Sequence, residues 1–224
     1  MRVSLIIPAL NEAECLGLLL AEVPANLIYQ VIVVDNGSTD HTADVARSGG
    51  AHVISEPRRG YGYACAAGTA AAKGDVLVFM DGDGSFKPGE LPNLLTPLAQ
   101  GKADLVLGAR MQIDPQQIIM PPHQRFGNHL IAWLLRQRFK LSLTDLGPYR
   151  AIRRQLLLEL GMQEHTYGWP LEMIIKTARH CKPIVEIPVT YRARFAGQSK
   201  VSGTLRGSLL TTYRYSNVLL RYAF

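Results

Sequence analysis

Three cysteines in 224 residues are too few for a disulfide framework. Cys15, Cys65 and Cys181 form an odd set without paired spacing, which also argues against a structural zinc site. Such usage fits a reducing cytoplasm. No apolar run approaches the roughly 18–20 residues that cross a membrane. The short run at the start is broken by Pro8 and Asn11 before it could act as a signal peptide. The chain is therefore expected to be soluble or to lie on a membrane surface. No complete Walker or dinucleotide-binding glycine pattern occurs, and there is no internal repeat, linker or low-complexity stretch. What is present is an ordinary globular composition, 47% hydrophobic and 19% charged. Its length suits one packed domain over 1–224 and is short for two.

Acidic residues are the minority, 18 against 24 basic, for a net charge of +6. That balance suggests an anionic partner: a phosphate ligand, an anionic membrane surface or nucleic acid. The basic residues concentrate after residue 100.

The acids that do occur fall at strand ends. Residues 76–80 are five apolar residues in a row, read as a strand buried on both faces. They run into Asp81-Gly82-Asp83-Gly84-Ser85. Two carboxylates that close repel unless a cation joins them, and such oxygen ligands suit Mg²⁺ or Mn²⁺ shared with a substrate phosphate. A plain turn is the bland reading. A calcium loop fails, because Phe86 and Pro92 stand where Gly and Glu are needed. Earlier strands at 3–7 and 31–34 end in Glu12 and Asp35. Each has a local alternative, a helix-start acid for Glu12 and an Asx turn for Asp35. Asn11 with Glu14 reads as a capping box for the first helix. Gly60 and Gly62 beside Arg58 and Arg59 are a weak phosphate-cradle signal. Strands at 51–54 and 104–107 and intervening helices complete an α/β pattern: a doubly wound, mostly parallel sheet whose strand ends share one rim.

The second half is less regular. A helix over 125–140 has an apolar face with Trp133 and basic residues Arg136, Arg138 and Lys140. It either lies in a lipid interface or packs on the sheet. Helices around 155–160 and 170–180 follow, then a strand over 184–192. The tail 203–224 reads as a surface-lying helix or one packed on a partner.

Ile7-Pro8-Ala9-Leu10-Asn11-Glu12, Val33-Val34-Asp35-Asn36-Gly37-Ser38-Thr39-Asp40 and Met80-Asp81-Gly82-Asp83-Gly84-Ser85 resemble family 2 glycosyltransferases. Leu107-Gly108-Ala109-Arg110, Arg125-Phe126-Gly127-Asn128, Asp145-Leu146-Gly147-Pro148-Tyr149-Arg150 and Gly197-Gln198-Ser199-Lys200 are similar to the dolichyl-phosphate mannose synthase-like, polyprenyl-phosphate branch. The resemblance spans about residues 2–207. It implies a GT-A fold, a nucleotide-sugar donor, a divalent metal (Mg²⁺ or Mn²⁺) and inversion at the anomeric carbon. Pro8, Leu10, Glu12 and Asp35 would hold base and ribose. Asp81 would position nucleotide and metal, Asp83 would be the principal metal ligand, and Ser85 a further metal contact. Arg110, Arg125, Asn128 and Lys200 would face the donor diphosphate and the acceptor phosphate. Leu10 stands where the family often has Tyr, and Gly82 and Gly84 replace larger residues. The membrane helices that some members carry are absent here, so contact with the cytoplasmic face of a membrane is expected from 125–140 and 203–224 or from a membrane-embedded partner.

A phosphate acceptor is already ionised and needs no general base. A hydroxyl acceptor would, with Asp145 or Glu172 as candidates; a cap or an arginine partner is the plainer reading of Asp145. Two other functions compete. One is a glycosyltransferase with a soluble hydroxyl or phosphate acceptor. The other is a non-enzymatic nucleotide- or nucleic-acid-binding module, which the clustered acids disfavour, so no nucleic-acid partner is expected. Donor sugar and base, UDP-glucose or GDP-mannose, are not distinguished by these residues.

Overall fold

The computed structural model describes residues 1–110, 122–197 and 205–223. Strands β1 (Val3–Ala9), β2 (Gln30–Asp35), β3 (His52–Ser55) and β4 (Val76–Phe79) are parallel, with helices α1 (Ala13–Ala21), α2 (Thr42–Ser48) and α3 (Tyr61–Ala71) as their crossovers. After α4 (Leu91–Ala99) and β5 (Leu105–Ala109) come α5 (Pro122–Phe139), β6 (Arg150–Arg153) and α6 (Arg154–Glu159). The described chain closes with α7 (Trp169–Arg179), β7 (Ile184–Pro188) and α8 (Leu205–Tyr222). One sheet holds all seven strands in the order β3-β2-β1-β4-β6-β5-β7. Only β6 runs antiparallel, between β4 and β5. It has no apolar run to announce it, being Arg150-Ala-Ile-Arg153, and it was not expected.

Alternation along each strand sorts side chains into two cores. On β4, Val76 and Val78 pack with α1, α2 and α4, while Leu77 and Phe79 pack with α3, α5, α6, α7 and α8. Five apolar residues in a row are thus explained: both faces of this strand are covered. Trp169 fills the second core, edge-on to Phe79 with ring centroids 4.9 Å apart.

Two local expectations change. Asn11 is not an N-cap; it takes a positive φ of 51° and its side chain accepts from the Thr39 amide at 2.8 Å. The first helix is capped from the next loop instead, Thr42 Oγ1 accepting from the Glu12 amide and Asp40 from the Ala13 amide. The last strand ends at Pro188, with Tyr191 bridging to Phe86. Gly60 and Gly62, marked as a weak phosphate-cradle signal, also allow a close backbone approach. A Cβ at Gly62 would lie 2.3 Å from the Glu164 carbonyl oxygen, and the Tyr63 amide donates to His165 O at 3.0 Å. Gly62→Ala is accordingly expected to cost about 1–3 kcal/mol through overpacking against rigid backbone. A urea midpoint unchanged from the parent would contradict this.

Candidate active site

Strand order reverses beside β1: α1 and α2 carry the chain outward to β3, and α3 brings it back to β4 on β1's other side. The carboxyl ends of β1 and β4 therefore diverge at a switch point, where open α/β sheets bind ligands. A cavity of about 920 Å³ opens there. Pro8, Leu10 and Glu12 enter it from the end of β1, Asp81 and Asp83 from the end of β4, and Arg110 from the end of β5. Asn36 and Arg59 line the β2–β3 side; Asn128, Ile131 and Leu134 of α5 face Tyr215 and Leu219 of α8 on the other.

Seven of the residues marked in the sequence thus meet in one cavity: Pro8, Leu10, Glu12, Asp81, Asp83, Arg110 and Asn128. Others do something different. Asp35 makes the Asx turn, its Oδ1 accepting from the Ser38 amide at 2.8 Å, and the neighbouring Asn36 lines the cavity in its place. Ser85 is buried, and its hydroxyl donates to Asp83 Oδ1 at 2.6 Å, so it orients the acid rather than facing a metal. Arg125, one turn before Asn128, is half-buried and is not among the cavity's walls. Lys200 lies outside the described residues.

Asp145 takes the plainer of its two readings, an arginine partner, and not that of a base. It is fully buried and grips Arg110 through two bonds of 2.8 Å, Nε to Oδ2 and Nη2 to Oδ1. It also accepts from the Arg110 and Leu146 amides and from Asn128 Nδ2 at 3.0 Å. Burial alone would raise its pKa, but the Arg110 charge and these bonds carry it below the ordinary carboxylate range. A carboxylate so saturated cannot take a proton from an acceptor. It is a positioning residue, holding the guanidinium at the cavity edge with Nη1 outside the fork. Glu172 is no base either: it is buried, accepts from the Gln163 and Glu164 amides, and pairs with Lys176 at 2.7 Å.

The acid cluster is electrically unfinished. Asp81 has its pKa pushed up to about 7, first by burial, then by the charge of Asp83. Glu12 adds to the rise, while Arg110 and Arg150 oppose it. Asp83 is balanced by Arg194, whose Nη2 lies 2.8 Å from its Oδ2 and 3.6 Å from Glu12 Oε1. Arg194 was missed in the sequence. It sits three residues before Gly197, and the only available signal was that three clustered carboxylates require a cation.

The segment carrying Arg194 is strapped across the Asp81–Ser85 loop. Its Arg192 amide donates to Ser85 O at 3.0 Å and its Phe195 amide to Asp83 O at 3.1 Å. The Phe195 ring covers Gly84, whose φ of 78° and lack of a side chain the contact requires.

Among the described residues, no group of three His, Cys, Asp or Glu side chains forms a complete metal cage. The donor set does fit a hard divalent cation that takes its remaining ligands from a diphosphate and water. Two half-buried carboxylates face one cavity, one with its pKa pushed up to about 7 by burial and its acidic neighbour and the other paired with the Arg194 guanidinium at 2.8 Å.

Comparison with known proteins agrees with this geometry. Residues 4–161 match the profile described as Glycosyl transferase family 2. An uncharacterised glycosyltransferase of Mycobacterium tuberculosis is 42% identical over 97% of each chain. An undecaprenyl-phosphate mannosyltransferase of Micrococcus luteus is 37% identical, over 92% of this chain and 90% of its own. Among solved structures, glucosyl-3-phosphoglycerate synthase from M. tuberculosis, in complex with Mn²⁺, UDP-glucose and phosphoglyceric acid, superposes with a TM-score of 0.80. The match covers 99% of this chain and 79% of that one, at 25% identity. The GT-A fold, the strand-end acids and the sequence match give one conclusion: this chain belongs to glycosyltransferase family 2.

Proposed function

We propose that the protein transfers a sugar from a nucleoside-diphosphate sugar to a polyprenyl phosphate, with a divalent cation, Mg²⁺ or Mn²⁺, held by Asp81 and Asp83. The observation that carries this reading is a single cavity with carboxylates and Arg110 at one end and an apolar wall of Ile131, Leu134 and Leu219 at the other. An anionic head on an isoprenoid tail matches both ends. The M. luteus relative, named for undecaprenyl phosphate, supports the same acceptor class.

The cation, when bound, lends positive charge to the departing diphosphate. In this reading an acceptor phosphate oxygen forms the bond to the anomeric carbon. The bond from that carbon to the donor's diphosphate oxygen breaks on the opposite face, and the electron pair leaves with the nucleoside diphosphate. Arg110 meets the charge developing there. Burial opposes its ionisation, but Asp145 outweighs this and keeps it protonated throughout the working pH range. No base is needed, consistent with Asp145 being fully engaged. Asn128 and Arg194, which line the same cavity, would meet phosphate oxygens in this reading.

A soluble phosphorylated acceptor is the second reading, supported by the phosphoglyceric acid in the solved relative. That enzyme's acceptor needs no apolar wall.

The metal site has a pH signature. Asp81 keeps its proton up to about 7 in the folded chain and loses it near 3.8 when unfolded. Stability from this group is therefore fully present below pH 3.8 and lost as pH rises from there to about 7. A cation that displaces the proton removes that loss. Mn²⁺ with nucleoside diphosphate is expected to raise Tm more at pH 8 than at pH 6, and Asp81→Asn to abolish the difference. Equal shifts at both pH values would contradict the assignment.

A further inference from the structure

We propose that Tyr191 is a positioning residue for Arg110, its ring holding the guanidinium from one face while Asp145 holds it from the edge. The guanidinium carbon lies 5.2 Å from the centroid of the Tyr191 ring, and both side chains line the cavity. The two bonds from Asp145 fix the guanidinium's direction within its own plane but leave it free to tilt about the fork. A ring against one face stops the tilt, because a cation and an aromatic face attract. Burial raises the pKa of Tyr191 although the Arg110 charge pulls it the other way, so the support stays neutral. A second carboxylate in that place would hold the group as firmly but would cancel the charge that a leaving diphosphate needs. With Arg110 read, as above, as the group that meets this diphosphate, an aromatic ring supports it and leaves its charge intact.

Tyr191 is itself fixed. It pairs with Phe86 as an isolated antiparallel bridge, and the two rings are tilted with centroids 5.3 Å apart. Phe86 is fully buried, packs against Tyr149 at the same spacing, and follows Ser85 directly in the chain. The backbone on either side of Tyr191 is tied to both halves of the site. The Val189 amide donates to Ala109 O at 3.2 Å, next to Arg110, and the Arg192 amide donates to Ser85 O at 3.0 Å. One segment therefore joins the end of β5, which carries the arginine, to the loop that carries Asp81 and Asp83. Arg194 reaches Asp83 from the same segment.

The test is a double-mutant cycle on the full-length protein with Mn²⁺. It reads kcat and donor KM for transfer to polyprenyl phosphate, affinity for UDP and GDP by calorimetry, and Tm. Tyr191→Phe keeps the ring and should stay within about twofold of the parent throughout. Tyr191→Leu removes it and should lower kcat roughly tenfold, the scale of a largely desolvated contact between cation and ring. Donor KM should move less than about twofold, because the charge on the diphosphate develops only as it leaves. Affinity for the nucleoside diphosphate, which carries that charge in full, should fall by the same factor as kcat; this readout needs no acceptor. In an Arg110→Lys background, Tyr191→Leu should cost no more than about twofold, since a compact ammonium has no plane for the ring to hold. Tyr191→Met, closer to tyrosine in length, carries the same expectations should the leucine variant not fold. A loss of equal size in both backgrounds, a Tyr191→Phe variant as impaired as Tyr191→Leu, or a fall in Tm with kcat unchanged would overturn the positioning role. An Arg110→Lys variant with parental kcat and parental affinity for both nucleotides would instead show the reading of Arg110 itself to be wrong.

Discussion

Asp83→Asn is expected to lower kcat by roughly 10²–10³-fold or more, with the fold intact. One carboxylate oxygen is oriented by Ser85 and the other pairs with Arg194 at the cavity, so the change removes a full negative charge from the proposed cation's principal ligand. Loss of preorganised charge at a leaving diphosphate costs on that scale. The amide retains a carbonyl for the Ser85 bonds; the lost charge pair with Arg194 is offset by Glu12, 3.6 Å from that guanidinium, and by the end of repulsion on Asp81, so stability should change little. Kinetics at saturating Mn²⁺, together with a denaturation curve, separate the two effects. Unchanged turnover at saturating metal would show that Asp83 does not hold the cation.

Asp145→Ala is expected to be the most destabilising single change at the site, at about 3–5 kcal/mol. The Arg110 guanidinium is only 14% exposed, and its charge is compensated by this carboxylate. Removing one partner of a buried pair leaves the other uncompensated, which costs far more than the pair itself is worth. The Arg110 and Leu146 amides lose their acceptor at the same time. Activity should fall too, through misplacement of Arg110, with no new limb in the pH–rate profile, since Asp145 is not a proton carrier. A near-native urea midpoint would mean that the pair is looser than the two 2.8 Å bonds indicate. Loss of a titrating limb in the rate profile would restore Asp145 as a base.

The parallel half of the molecule could be read from its sequence because each strand there is an apolar run ending in acids, glycines and turn residues. Val76 to Phe79 is buried on both faces as its composition dictates. Strand β6 could not be read in that way. Arg150 is fully buried in it, and what makes this tolerable lies outside the strand: the carbonyls of Leu146 and Gly147 in the loop before it and of Pro170 in α7 hold its guanidinium. Propensity sees an arginine and cannot see its acceptors.

The site divides along the same line. Of the acids expected on one rim from topology, Glu12, Asp81 and Asp83 line one cavity, joined by Arg110, which only the resemblance singled out, while Asp35 turns into its own loop. Ser85 and Asp145 carry the right chemistry but turn it toward a neighbour, which depends on side-chain direction rather than position. Arg194 comes from a segment more than 100 residues beyond Asp83, and only tertiary packing across Gly84 brings it to the acids. Gly62 was legible as a glycine of consequence, but the backbone it accommodates, at Glu164, was not.

The most direct test of the central claim is transfer of labelled sugar from a panel of nucleoside-diphosphate sugars to polyprenyl phosphate, with and without Mn²⁺. The account predicts label in the lipid product that depends on the cation and disappears in Asp83→Asn. Transfer only to soluble phosphorylated acceptors, with polyprenyl phosphate inert, would contradict it.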